Sequence, residues 1–129
     1  MASINVSLVS PEAILYEGDA TLVVAKTEDG EIGIQAGHVP LVANLLPCHV
    51  RVHTDGGVQG IAVHGGFIEV SGGHLTILSD VAELADDIDV ERARASKERA
   101  EQALAADNTD AEAAGALRRA TARLMTAGV

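Results

Sequence analysis

Residues 88–93 read Ile88-Asp89-Val90-Glu91-Arg92-Ala93, and the character of the chain changes across them. Before them, apolar and polar residues alternate in short runs broken by glycine-rich turns, the pattern of half-buried strands. After them, alanine dominates and the spacing of the larger apolar residues becomes helical. Residues 1–85 therefore read as one domain and residues 86–129 as a second. Asp89 is placed to cap a helix running to about Ala106, and acids at its start suit the positive end of the helix dipole.

Working back from this seam, Ile4, Val6 and Leu8 alternate with Asn5 and Ser7, and Pro11 ends the run. Further strands are expected at 14–17, 22–27, 31–34, 41–46 and around Val50 and Val52. Others follow at 61–63, 67–70 and 75–78. Glu28-Asp29-Gly30 and Asp55-Gly56-Gly57 are hairpin signals, because glycine accepts the positive φ of such turns. Gly65-Gly66 and Gly72-Gly73 read as two more turns. Eight to ten short strands with turn chemistry between them predict an antiparallel β-sandwich or barrel.

Working forward, Asp107-Asn108-Thr109-Asp110 is a turn, and Thr109 with Glu112 has the form of a capping box for a second helix to about Thr126. A break this short predicts an antiparallel helical hairpin. Its larger apolar residues are few (Val90, Leu104, Leu117, Leu124 and Met125), so the hairpin is expected to be weakly held and able to leave its docking site.

Composition narrows the function classes. The 129-residue chain has a formal net charge of −10 and is 47% hydrophobic, with Tyr16 and Phe67 its only aromatics. Residues 1–85 carry ten acids against Lys26 and Arg51, a net of −8, while 86–129 carry nine acids and seven bases, a net of −2. An acidic body without stacking faces argues against nucleic acid and against direct contact with anionic lipid. Cys48 is the only cysteine, so no internal disulfide forms. No segment has the roughly 20 apolar residues of a membrane span, so direct membrane insertion is not expected.

Catalytic patterns are absent. His49-x-x-x-His53 lies in a strand pattern without a third ligand, so no metal site is expected. Cys48 and His49 fall on opposite strand faces, which suits a buried thiol rather than a nucleophile. The paired glycines lack the Lys, Ser/Thr and following helix of a phosphate loop. The arginines carry more. Arg92 and Arg99 share one helical face, and Arg119 and Arg123 are neighbours on the second helix. Folded as a hairpin, the pairs fit either a solvated, ion-paired face or a phosphate site made of planar guanidinium forks.

Four segments together carry a resemblance. They are Gly30-Glu31-Ile32-Gly33-Ile34, Gly37-His38-Val39-Pro40-Leu41, Val63-His64-Gly65-Gly66-Phe67 and Leu78-Ser79-Asp80-Val81-Ala82-Glu83. Over nearly its whole length the chain resembles the epsilon subunits of bacterial F-type ATP synthases. The resemblance implies a ten-stranded N-terminal β-sandwich followed by two C-terminal helices. It implies a non-catalytic rotor subunit that binds the gamma subunit and the ring of c subunits and couples ring rotation to the central stalk, peripherally at the cytoplasmic face of the plasma membrane. The ring-facing loop would correspond to Glu31 through His38, with Glu31 and His38 as polar contacts; many members have proline where Ala36 stands.

The same resemblance implies a helical pair that either folds on the sandwich or extends along gamma toward the alpha–beta catalytic ring, where it inhibits hydrolysis. Some members bind ATP on the folded form through an Ile/Leu-Asp-x-x-Arg-Ala motif, matched here by Ile88, Asp89, Arg92 and Ala93. Glu83, Arg99, Arg119 and Arg123 match further positions. On this reading Glu83, Ile88, Asp89 and Ala93 hold the adenine end, the four arginines hold phosphates, and ATP is a regulatory ligand. The competing reading is a stand-alone ligand-binding sandwich with a helical dimerisation tail.

Overall fold

Alternation gives strands through the first two-thirds of the chain, and the alanine-rich remainder gives helices. The computed structural model describes residues 2–128. The strands are β1 (Ile4–Val9), β2 (Ile14–Ala20), β3 (Leu22–Thr27), β4 (Gly30–Ile34), β5 (Leu41–Thr54), β6 (Gly57–Ser71), β7 (His74–Leu78) and β8 (Ala82–Leu84). A 3-10 turn (Ala85–Asp87) leads into α1 (Val90–Ala106) and α2 (Ala111–Ala127).

The sheet order is β2-β1-β7-β6-β5-β3-β4, with β8 paired to β6. It is mixed, because β1 and β7 run parallel while the other neighbours are antiparallel. Folded over on itself, the sheet encloses one aliphatic core that includes Val6, Leu8, Val23, Val50, Ile61, Ile68 and Ile77, all no more than 1% exposed. Phe67 stands half outside it.

The expected ten strands are eight among the described residues, for an identifiable reason. β5 and β6 are 14 and 15 residues long and pair in one unbroken register, from Leu41 opposite Val70 to Thr54 opposite Gly57. Pro47 sits inside β5, paired with His64. Gly65 and Gly66 do not turn the chain; they bend β6 with φ of 98° and 114°, a backbone conformation that side chains rarely adopt. A Cβ on Gly66 would lie 2.0 Å from the Leu78 carbonyl oxygen. Gly72-Gly73, by contrast, is a two-residue hairpin turn, flanked by the pair Ser71 and His74.

Asp89 caps α1 as expected, its carboxylate accepting from the Arg92 backbone N–H at 3.1 Å. The second cap differs from expectation. Asp110, not Thr109, accepts from the Ala113 N–H, at 3.0 Å, while the Thr109 hydroxyl donates to Asp107 inside the turn. A carboxylate one residue nearer the helix takes the cap because it reaches the same first-turn donors.

α2 packs on β5 and β6, and α1 packs on α2 without extended contact with any strand. Close approach of α2 to the sheet depends on Gly60, where a Cβ would meet Thr126 at 3.4 Å and His49 Nε2 at 3.0 Å. α1 buries only Ala93 and Ala100. Of the five larger apolar residues of the hairpin only Leu124 is buried; Met125 is 58% exposed.

The bend at Gly66 yields a stability prediction. Gly66→Ala is expected to lower the unfolding free energy by about 3 kcal/mol or more through clash and backbone strain. Gly72→Ala, at a positive φ but with open space around it, should lose only about 1 kcal/mol. Equal losses in urea denaturation would contradict the bend as the constraint.

Candidate functional site

The charged side chains that matter lie where α2 meets the end of the sheet. β8 is three residues long and pairs with β6 through Ile61, Ala62 and Val63, which sets Glu83 beside His64. Arg123 reaches this point from α2: its Nε donates to Glu83 Oε1 at 2.6 Å. His64 Nε2 donates to the same oxygen at 3.2 Å. The His64 side chain is 1% exposed, and its Nδ1 has no hydrogen-bond partner among the described residues. Among the described residues, Glu83–Arg123 is the one ion pair between the helical hairpin and the sheet.

Burial sets the electrostatics of this trio. It pushes the His64 imidazole below its ordinary value, and Arg123 and Arg119 push the same way, against the opposing pull of Glu83. Burial also raises the Glu83 carboxyl. The hydrogen bonds and charges of Arg123 and His64 outweigh that effect and hold it below the usual carboxylate range. A neutral His64 with its proton on Nε2 leaves the bare Nδ1 lone pair facing the interior. Protonating it would bury a second donor without an acceptor.

The other arginines share a flank with Arg123. Arg92 and Arg99 each stand one residue before a buried alanine of α1, and Arg119 one residue before buried Ala120 of α2. Ala122 and Thr126 face the sheet, so the stripe with Ala113, Ala120 and Leu124 faces α1. In an antiparallel pair, residues one step before the facing positions turn by about 100° to the same side. Counting outward from the turn at 107–110, Arg99 comes level with about residue 118 and Arg92 with about residue 125. Arg99 therefore neighbours Arg119, and Arg92 neighbours Arg123.

Among the described residues, Arg92, Arg99 and Arg119 pair with no carboxylate; Arg99 donates instead to Ser96 Oγ at 3.1 Å. Arg119 lies back along its own helix, its Nη1 3.3 Å from where a Cβ on Gly115 would be. Asp89 is exposed and occupied as a cap. Ile88 is half-buried after the 3-10 turn, and Ala93, at 2% exposed, spaces the helices.

The two expected ring contacts are not equivalent. Glu31 is on β4 and accepts from Arg51 Nη2 at 3.2 Å. His38 is in the loop before β5, where its backbone N–H donates to the Gln35 carbonyl and exposed Val39 and Val42 flank it. Cys48 is buried, and burial pushes its thiol up. Among the described residues no group of three or more His, Cys, Asp or Glu is placed to hold a metal ion, and no helix is long and apolar enough to cross a membrane.

His64 was not legible as a site residue, since nothing in a strand pattern marks a histidine as buried and paired. Glu83 and Arg123 lie 40 residues apart, so only the packing of α2 on the sheet reveals them as partners.

Comparison with known proteins covers the chain almost end to end. The family model described as ATP synthase, Delta/Epsilon chain, beta-sandwich domain matches residues 3–85. The model for the long alpha-helix domain of the same chain matches residues 86–128. The ATP synthase epsilon chain of Shouchella clausii is 48% identical over 125 residues, covering 96% of this chain and 94% of its own. That of Halalkalibacterium halodurans is 48% identical over 132 residues and 99% of both chains. Among solved structures, a chain of the Euglena gracilis mitochondrial ATP synthase aligns over 100% of this chain and 83% of its own. Its TM-score is 0.83 and its identity 25%. A chain from the Tetrahymena thermophila mitochondrial central stalk and c-ring shares the fold, with a TM-score of 0.55 at 19% identity over 70% of this chain and 69% of its own.

The trio predicts how stability depends on pH. For both His64 and Glu83 the unfolded chain binds more protons than the folded one, so stability rises with pH. The His64 contribution is complete above 6.5 and is lost as pH falls below it toward the lower folded value. The Glu83 contribution is lost below 4.5. Arg123→Ala should lower the unfolding free energy at pH 7 by about 1–3 kcal/mol. His64→Gln should flatten the pH dependence just below 6.5. Urea denaturation from pH 8 to pH 5 measures both, and an unchanged slope in His64→Gln would contradict the assignment.

Proposed function

The chain belongs to the ATP synthase delta/epsilon chain family and is a non-catalytic subunit of that complex's central stalk, and we propose that its helical arm is a nucleotide-read switch on a rigid docking body. The body, residues 1–85, couples the c-ring to the gamma subunit. The arm, residues 86–129, regulates hydrolysis by the alpha and beta subunits according to whether it lies on the sheet or extends from it. As part of the complex the chain sits peripherally at the cytoplasmic face of the plasma membrane.

The observation that carries the rotor role is the match of both family domains, in order, over residues 3–128. Contact with the ring is assigned to the loop around His38, where Val39 and Val42 are 71% and 67% exposed, better than to Glu31, which Arg51 already engages.

The switch reading rests on the shared flank of four guanidinium groups. Among the described residues, Arg92, Arg99 and Arg119 have no carboxylate to leave before taking a phosphate, and planar forks suit phosphate oxygens. Glu83 keeps Arg123 at the sheet and has a second oxygen, Oε2, free of these bonds for a ligand donor. Asp89 and Ala93 act on the site indirectly, by starting α1 and by letting it approach α2. ATP bound only to the docked arm favours that state by RT ln(1 + [ATP]/Kd), about 0.4 kcal/mol when concentration equals Kd. A sensor of energy status therefore needs a Kd near cellular ATP concentrations.

Calorimetric titration of the full chain with ATP tests the switch. Saturable binding is expected, with Kd raised roughly 10- to 100-fold in Arg92→Ala and in Arg119→Ala. No heat at millimolar ATP, or unchanged affinity in both variants, would reject the nucleotide site and leave the rotor role standing.

A further inference from the structure

On the opposite flank of α2 from Arg123, the arm and the sheet enclose a cleft of about 580 Å³. That volume lies within the range of small-molecule sites. Its charged lining is unusual for this chain. Lys26 and Arg51, the only two cations in residues 1–85, both line it, as do His49 from β5 and Arg118 from α2. Among the described residues Glu31 is the one carboxylate in the lining, and it is already paired with Arg51 at 3.2 Å. Three cations against one acid leave a net of +2 in a chain whose total is −10. Burial, reinforced by Arg51, holds His49 neutral.

The rest of the lining is apolar. Leu46 and Pro47 form one wall and Leu117 and Met125 the other. Met125 is 58% exposed, an apolar side chain left without cover beside the charged groups. Neither Tyr16 nor Phe67 is present, and the His49 imidazole is the one ring among the described residues of the lining. Its chemistry is a cationic end next to an aliphatic slot.

We propose that this cleft binds an amphipathic organic anion, with an oxyanion head between Lys26 and Arg118 and an aliphatic chain along Leu46, Pro47, Leu117 and Met125. The site is separate from the flank that carries Arg92, Arg99, Arg119 and Arg123. Because its walls come from both the sheet and α2, it exists only while the arm is docked. A ligand there multiplies the docked-to-undocked ratio by 1 + [L]/Kd, about 11-fold at ten times Kd. The arm thus has a second input, read on the other side of the same helix.

The test uses the full chain and octyl phosphate below its micelle concentration, followed by amide chemical shifts. Saturable shifts are expected at Lys26, Glu31 and Arg51 and along 117–125, with binding by inorganic phosphate or octanol at least tenfold weaker. Lys26→Ala and Arg118→Ala, both at exposed positions, should each raise Kd about tenfold. Arg92→Ala should leave it unchanged, which separates this site from the nucleotide flank. Phosphatidylglycerol vesicles identify the source: displacement of octyl phosphate supports a membrane lipid, and its retention supports a free amphiphile. Equal affinity for octanol, equal affinity for inorganic phosphate, or unchanged binding in both cleft variants would overturn the proposal.

Discussion

An arm built of alanine has little area with which to hold itself to anything, so its position depends on the charged bond between Arg123 and Glu83. α1 buries only Ala93 and Ala100, and α2 reaches the sheet through Ala122, Thr126 and the gap left by Gly60. Such contacts are close but small, and each alanine contributes far less than a leucine in its place. The 2.6 Å bond from Arg123 to Glu83 adds direction to this weak packing. It is effective because Glu83 is held from behind by His64 and because both partners are withdrawn from water enough to escape full screening.

On the proposed reading, the same arrangement would join holding to sensing. Arg123 is both the tie to the sheet and one of the four guanidinium groups on a single flank, so a polyanion arriving there meets an arm already in the docked position. It strengthens that position instead of creating it. The opposite flank, with Lys26, Arg51 and Arg118, gives the arm a second charged edge. Under the two proposals, a helix with an unlike charged surface on each flank would let two ligands act on one equilibrium.

Much of this was legible from residue pattern. The strand-to-helix change at 88–93, the Asp89 cap, the hairpin turns at Gly30 and Gly57 and the aliphatic core all follow from local chemistry. Gly65-Gly66 misled because paired glycines mark a turn or a bend equally well. Only the unbroken pairing of β5 with β6, with Pro47 accommodated inside it, distinguishes the two. The pairing of Arg92 with Arg99 on one helix and of Arg119 with Arg123 on the other was readable from their spacing because it is a property of helices. The partnership of Glu83, His64 and Arg123 was not, since it joins a short strand, a long strand and a distant helix. The cleft was hidden for the same reason: Lys26 and Arg51 are ordinary strand residues until Arg118 is laid over them.

Native-state hydrogen exchange across the full chain tests the central claim, that a weakly held arm rides on a rigid body. Amides of α1 and α2 should open together, at a free energy well below that of the β5 and β6 amides, and Arg123→Ala should lower the opening energy of the helices while leaving the strands almost unchanged. If the amides of α2 exchange only through the same global unfolding as β5 and β6, the arm is a fixed part of the body and the account is wrong.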